Sequence, residues 1–391
     1  MNLVIDCFKL VKGAGKSIGI YNLARSITGH LGVRAANGEE ENTDYSIIVL
    51  GNSFNRKDFD VPGVTFVEMK GNPLNKIYCI MWELFLVPWY AKKYQADRVL
   101  FPRGFAPLSI AKKLAFGMGR GMKDTIIIHD LIPFYYDKYY PGVFNKTENT
   151  YIMNRLKASI RQADRVITIS GYSEEDILDK VPDCKGKITV IHNGLNDVSY
   201  EIPKSGSDEE KSKESEYIVA MTSVLPHKNA AGILRAYEAY YKLAKSQLKE
   251  PLKLAVIGIG DTSFYEEMDN NAKAYVKCYK FFEDFSEMCR LAAGGKAYLF
   301  LSYAEGFGFP PLEAMQMGIP VVCSNRSSLP EMIQEAGILV DPDDAGGVAK
   351  ALDKVLTDEE LRGDLIRKGY KNIERFSWKT RTDLYWKELF R

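Results

Sequence analysis

Histidine is scarce in this 391-residue chain: four residues, at positions 30, 129, 192 and 227, with no ligand spacing among them. A zinc centre needs three or four convergent ligands, so none is expected. The six cysteines, Cys7, Cys79, Cys184, Cys278, Cys289 and Cys323, form no CxxC pair. Most sit in apolar segments and read as buried thiols of a reducing cytosol. Excess charge is lacking too: 52 basic residues face 51 acidic ones, a net charge of +1. A dedicated nucleic-acid binder needs a basic surface to displace counterions from phosphates, so no nucleic-acid partner is expected. The opening MNLVIDCFKLVKGAGKS has no signal-peptide pattern, because Asp6 and Lys9 break its apolar run. A cytoplasmic location is therefore expected. The most hydrophobic stretch, IYCIMWELFLVPWYA at 77–91, is interrupted by Pro88. It falls short of the roughly 20 residues of a bilayer span. It reads as a core-facing helix. An interfacial helix, with Trp82 and Trp89 at a membrane and Lys92 and Lys93 near lipid phosphates, stays open as the alternative.

A phosphate-binding loop is only half present. KGAGKSIGIYNLARSI at 12–27 contains the Gly-Lys-Ser ending, but Leu10 stands where G-x-x-x-x-G-K-[ST] requires its first glycine. No strand-terminal aspartate for magnesium follows, which argues against an NTPase. Gly13, Gly15 and Gly19 would instead let backbone approach an anion or a sugar hydroxyl beside a helix amino terminus.

What the chain does have is alternation. NLVIDCF, YSIIVLG, RVLFP, DTIIIHDLI, RVITIS and KITVIHNG are short runs rich in β-branched residues, mostly with helical segments between them. PKSGSDEEKSKESE at 203–216 then interrupts with charge and no apolar side chain except proline, a linker or surface loop. Beyond it YIVAMTS, LKLAVIG, AYLFLS, PVVCS and GILVDP restart the pattern. The expected class is α/β: two doubly wound domains with parallel sheets, facing a cleft. The boundaries predicted are 1–200, a linker at 201–216, a second domain at 217–373 and a crossing C-terminal helix at 374–391.

The most informative stretch is SYAEGFGFPPLEAMQMGIPVVCSNRSSLPE at 302–331. It begins where the strand AYLFLS ends. Glu305 and Glu313 bracket seven residues; Gly306 and Gly308 free the backbone, and Pro310 and Pro311 suit a helix start. A helix amino terminus with carboxylates and glycine amides beside it suits a sugar phosphate: N–H groups for phosphate oxygens, carboxylates for hydroxyls.

This segment resembles the E-x7-E signature of retaining glycosyltransferase family 4, the group 1 transferases of GT-B fold. SIGIYNLA, IIIHDLIPFYY, ADRVITISGYSEEDI, KITVIHNGL, TSVLPHKNAAGILRAYE and FSWKTRTDLYWKELF resemble other family segments in the expected order. The resemblance implies two Rossmann-like domains and a set of roles. Glu305 would bond the donor sugar, joined by the main chain of Gly306, Phe307, Gly308 and Phe309. Glu313 would hold the ribose, the Leu312 amide would touch the diphosphate, and Lys228, beside Asn229, would neutralise the leaving group. His129 would touch the transferred sugar, and Gly15, Ser17 and Gly19 would line the cleft. The chain also departs from the pattern. His227 replaces a common arginine, Thr222 stands where some members carry another, and KFFEDF puts Phe281 and Phe282 near the nucleobase.

The activity implied is metal-independent hexosyl transfer with retention, from a nucleotide sugar to a glycan or lipid-linked glycan acceptor in bacterial surface-polysaccharide assembly. No cofactor is implied, and peripheral membrane contact fits the lipid-linked acceptor. GDP-mannose is the first expectation for the donor; UDP- and dTDP-sugars stay open. A sugar-nucleotide epimerase of the same fold and a non-catalytic sugar-nucleotide-binding subunit are the competing readings. DPDD at 341–344 resembles a metal site of unrelated transferases but matches a loop in this family.

Overall fold

The computed structural model describes residues 1–13, 18–37, 45–117, 122–198, 217–260, 268–280, 282 and 284–390. The chain divides into two units, Met1–Asn193 with Trp378–Arg391, and Gly194–Ser377.

The first unit holds β1 (Asn2–Asp6), β2 (Ser46–Gly51), β3 (Thr65–Glu68), β4 (Arg98–Phe101), β5 (Lys123–Ile128), β6 (Arg165–Thr168) and β7 (Ile188–Val190). They pair in the order β3-β2-β1-β4-β5-β6-β7, every pair parallel. Leu3, Val4 and Ile5 of β1 and Ile126, Ile127 and Ile128 of β5 are buried on successive positions. Helices on both faces of a parallel sheet demand such unbroken apolar runs.

The second unit holds β8 (Tyr217–Met221), β9 (Lys253–Ile257), β10 (Val276–Tyr279), β11 (Ala297–Phe300), β12 (Val321–Ser324) and β13 (Gly337–Val340). Their order is β10-β9-β8-β11-β12-β13, again parallel throughout. In each sheet the winding reverses once, between β1 and β4 and between β8 and β11. Loops leaving the carboxyl ends of those neighbours diverge and open a crevice, which places ligand sites there.

Two strands lie outside the sequence reading, β3 and β10. Both are sheet edges, and every residue in them is exposed or half-buried, none fully buried. An edge strand needs no continuous apolar run, so TFVE and VKCY carry no strong pattern.

The unit boundaries differ from the predicted ones for a local reason. The Leu195 amide donates to the Phe376 carbonyl at 2.8 Å, and the Phe376 ring packs edge-on against Phe307 at 5.5 Å. Residues on both sides of the expected boundaries therefore join the second unit. Helix Trp378–Phe390 belongs to the first unit and packs on helix Ile18–Ala36. Trp378 stacks on His30 at 5.0 Å, Trp386 meets Tyr45 at 5.1 Å, and Asp383 pairs with Arg34. The charged segment 201–216 lies outside the described residues.

Pro88 does not end its helix. Helices Lys76–Met81 and Val87–Lys93 run together through a π turn, Trp82–Leu86. Proline has no N–H for the carbonyl four residues back, and that carbonyl, Leu84 O, accepts the Leu108 amide instead at 3.3 Å. Trp82 is fully buried and its Nε1 donates to Asp6 at 3.0 Å, whereas Trp89 is exposed. The two tryptophans, paired in the interfacial alternative, thus lie on opposite faces. No helix among the described residues is long and apolar enough to cross a membrane.

Candidate active site

The site is built where the second sheet reverses. The loop leaving β8 carries Thr222 and the short turn Pro226–Lys228; the loop leaving β11 carries Glu305. Across the crevice the Lys228 ammonium donates to Glu305 Oε1 at 2.6 Å, with side-chain exposures of 25% and 11%. The two principal candidates thus satisfy each other.

Asn229 joins the loops. It adopts a left-handed conformation, φ 53°, which ends the turn and starts helix Ala230–Ser246. Its Oδ1 accepts the Gly232 amide at 3.0 Å, capping that helix, and its Nδ2 donates to Leu301 O at 3.0 Å. One end of its amide thus caps the helix, and the other ties the Lys228 turn to the β11 loop. The Thr222 hydroxyl donates to Lys228 O at 2.7 Å, and the Tyr303 amide donates to His227 O at 2.7 Å. His227 is buried. Burial, then the neighbouring Lys228, pull its imidazole down to about 4 against the opposing pull of Glu305. It is neutral near neutral pH, so positive charge here rests on Lys228.

The Glu305 loop is clamped from beneath by two residues that the sequence reading left without a role. Ser327 Oγ accepts the Glu305 amide at 3.0 Å, and Ser328 Oγ bonds both Glu305 O at 2.9 Å and Phe307 O at 3.0 Å. SSLPE closes the 302–331 stretch singled out in the sequence, but its bonding to a loop some 20 residues earlier appears only in three dimensions. The Phe307 side chain is core, packed on Phe309 and Phe376. Gly308, at φ 107°, turns the chain into helix Phe309–Gln316, and a Cβ there would lie 2.6 Å from Leu329. Both constraints demand glycine. Pro310 and Pro311 occupy the first turn, where a missing N–H costs nothing, and Leu312, wholly buried, follows them.

Glu313 lies one turn further on. Burial alone pushes its carboxyl up to about 7. Its residue surface is only partly covered, but no side chain among the described residues bonds the carboxyl. It is an acceptor short of donors, as a ribose-holding group would be.

Phe282 stacks on Tyr279, the last residue of β10, at 5.7 Å; Phe281 lies outside the described residues. The aspartates of DPDD are each engaged: Asp341 with Arg326 at 3.0 Å, Asp343 with the Tyr303 hydroxyl at 2.7 Å, and Asp344 as the cap of helix Ala345–Thr357.

In the first unit, His129 follows β5, and its Nε2 lies 2.6 Å from the Pro102 carbonyl, beyond β4. A carbonyl only accepts, so Nε2 carries the proton and Nδ1 presents a lone pair. Burial is the chief reason its pKa falls to about 4. Gly19 sits in the first turn of its helix with open space around it, while Gly15 and Ser17 lie outside the described residues. The loop leading to them is fixed by two buried asparagines that the sequence reading passed over. Asn52 Nδ2 donates to Phe8 O at 2.6 Å, and Asn55 Nδ2 donates to Cys7 O and Leu10 O, each at 2.8 Å.

Two doubly wound parallel sheets, one with a lysine–carboxylate pair over its reversal point, define an α/β protein of paired Rossmann-like units. Comparison with known proteins sharpens this class. Residues 41–198 match the model described as Glycosyltransferase Family 4, and residues 202–372 that described as Glycosyl transferases group 1. The chain is 27% identical over 261 residues to O-antigen chain mannosyltransferase B of Escherichia coli, covering 65% of this chain and 66% of that protein. It is 27% identical over 302 residues to O-antigen chain mannosyltransferase RfbU of Salmonella typhimurium, covering 74% and 75%. Against the serotype-specific mannosyltransferase WbdA of Escherichia coli the match covers 66% of this chain but 32% of the relative, about a third of its length. Among solved structures, sucrose-phosphate synthase from Thermosynechococcus elongatus superposes with a TM-score of 0.71 at 18% identity, covering 100% and 99% of the two chains. HepE of Anabaena in complex with UDP-glucose gives 0.68 at 16%, covering 100% and 99%. These likenesses are those of the GT-B fold. The chain belongs to the group 1 glycosyltransferases of family 4.

Proposed function

We propose that the chain transfers a hexose from a nucleotide sugar to a hydroxyl of a glycan acceptor, with retention at the anomeric carbon, at the cytoplasmic face of a membrane. The observation that carries this reading is the Lys228–Glu305 pair at 2.6 Å over the sheet reversal, with Glu313 in the helix that follows and bonded by no side chain among the described residues. On donor binding Lys228 swings its charge to the diphosphate, and Glu305, released, accepts from sugar hydroxyls. Glu313 accepts from the ribose. The bond between the anomeric carbon and the phosphate oxygen breaks as the bond to the acceptor oxygen forms on the same face. The acceptor proton passes to the departing phosphate oxygen, so no separate protein base is required. Lys228 stabilises the charge that develops on the leaving group, most effectively where water is excluded. His129, through Nδ1, accepts from a sugar hydroxyl. As proposed, these groups act without a metal ion. Mannose from GDP-mannose is the first choice of donor, because the O-antigen relatives are named mannosyltransferases.

The test is a thermal-shift screen with EDTA against GDP-mannose, UDP-glucose, UDP-N-acetylglucosamine, UDP-galactose and dTDP-rhamnose, repeated on Glu305→Ala and Lys228→Ala. Stabilisation by one donor, weakened in both variants, supports the site and names the nucleotide. Stabilisation that appears only when metal is restored rejects the metal-free mechanism. If GDP-mannose is silent while another donor binds, mannose is the wrong sugar.

A further inference from the structure

The helical segment around Pro88 buries Cys79, Trp82, Val87 and Ala91 on one face. Its other face presents Ile77, Ile80, Met81, Phe85 and Trp89, between 40% and 73% exposed. Helix Ser109–Phe116 packs beside it, joined by the Leu108–Leu84 hydrogen bond, and adds Ile110 at 61% and Leu114 at 68% exposure. Singly exposed apolar residues are ordinary, but a group on two adjoining helices marks an interaction surface.

Charge says what covers it. Residues 69–122 contain nine lysines and arginines against two acids, leaving 43 basic and 49 acidic residues elsewhere in a nearly neutral chain. Neither acid faces outward beside the apolar group. Glu83 is buried between Lys9 and Arg155, and Asp97 accepts the Asn2 amide at 2.8 Å, at the opposite, amino ends of the strands. Several of the cations are engaged elsewhere: Arg98 is buried, Lys112 pairs with Asp124 and Lys76 with Glu148. Lys92, Lys93 and Lys113 are exposed on the same helices, and none forms an ion pair among the described residues.

We propose that this face docks the first unit on an anionic lipid bilayer. Phe85, Trp89, Ile110 and Leu114 enter the headgroup region, and the three lysines lie against lipid phosphates. A second copy is the poorer occupant, because a two-fold contact sets each patch against itself and brings lysine against lysine. The inference goes beyond the transferase reading and does not depend on it, since binding to lipid requires no donor.

The experiment is flotation of the full chain with vesicles of phosphatidylcholine alone or mixed with phosphatidylglycerol, at low and high salt. Retention on the anionic vesicles, weakened by salt, is expected. At about 1 kcal/mol per lysine near such a surface, Lys92→Gln/Lys93→Gln/Lys113→Gln should weaken partitioning roughly a hundredfold. Phe85→Ser/Trp89→Ser should weaken it at least about tenfold through lost apolar contact. Leu248→Ser, changing a residue 97% exposed in the other unit, should leave it intact. Circular dichroism and unfolding midpoints matching the parent show that the variants are folded. Three results overturn the proposal: no retention on anionic vesicles at low salt, equal retention on neutral vesicles, or a dimer by sedimentation that Phe85→Ser/Trp89→Ser disperses while vesicles are ignored.

Discussion

Glu313 should make donor binding depend on pH. Its carboxyl is pushed up to about 7 by burial alone, with no cation or hydrogen-bond donor among the described residues to offset that cost. Ribose hydroxyls donating to the carboxylate would supply the missing stabilisation, so the bound form favours the ionised group. From that pKa, the ionised fraction in the empty site is about 0.9 at about pH 8 and about 0.1 at about pH 6. Donor affinity should therefore fall roughly tenfold, about 1.4 kcal/mol, between those conditions. At about pH 7 each donor bound should release about half a proton. Calorimetric titration in buffers of different ionisation enthalpy reads both quantities. Glu313→Gln should bind more weakly and lose the slope. His227 and His129, at about 4, titrate below this window. Asp6 and Asp124, at about 6, fall within it, so the variant is the arbiter. A pH-independent affinity in the parent, or an unchanged slope in Glu313→Gln, would refute the argument.

Further outcomes can be checked on the ligand-free protein. A carboxyl whose folded pKa lies above its unfolded value contributes stability fully below the unfolded pKa, and loses it as pH rises through the folded one. Glu313→Gln should thus gain stability over the parent, by no more than about 3 kcal/mol, above about pH 7 and not near about pH 4; matched urea titrations measure the difference. Lys228→Ala leaves Glu305 without its cation and should lose about 1–2 kcal/mol, moderated because Lys228 is 25% exposed; an unchanged unfolding midpoint would show that the pair is stability-neutral. Gly308→Ala meets both an unfavourable φ of 107° and Leu329 at 2.6 Å. It should cost about 2–3 kcal/mol and weaken the donor-induced thermal shift. Ser328→Ala removes the bonds to two loop carbonyls, for about 1–3 kcal/mol, with faster amide hydrogen exchange in residues 303–308.

Much of this protein is legible from its sequence because parallel sheets are written in local pattern. The buried strands of both units appear as short apolar runs, and the Glu305–Glu313 segment carries its strand edge, glycines, prolines and helix in one continuous stretch. Local backbone preference and burial are properties of neighbours in sequence, so they can be read there. The edge strands Thr65–Glu68 and Val276–Tyr279 could not be, because their partial exposure removes the pattern. Nor could pairings between distant loops. Lys228 and Glu305 stand 77 residues apart and meet only because β8 and β11 are neighbours at the reversal of the sheet. The same holds for Ser328 beneath the Glu305 loop, Asn52 and Asn55 beneath the loop after β1, and the opposite facing of Trp82 and Trp89. Sequence by itself determined which segments fold and which residues are chemically equipped for a sugar phosphate. Tertiary structure alone decided which of them touch, which carboxyl is buried without a partner among the described residues and which apolar face stays exposed, because hydrogen bonding and desolvation act across space.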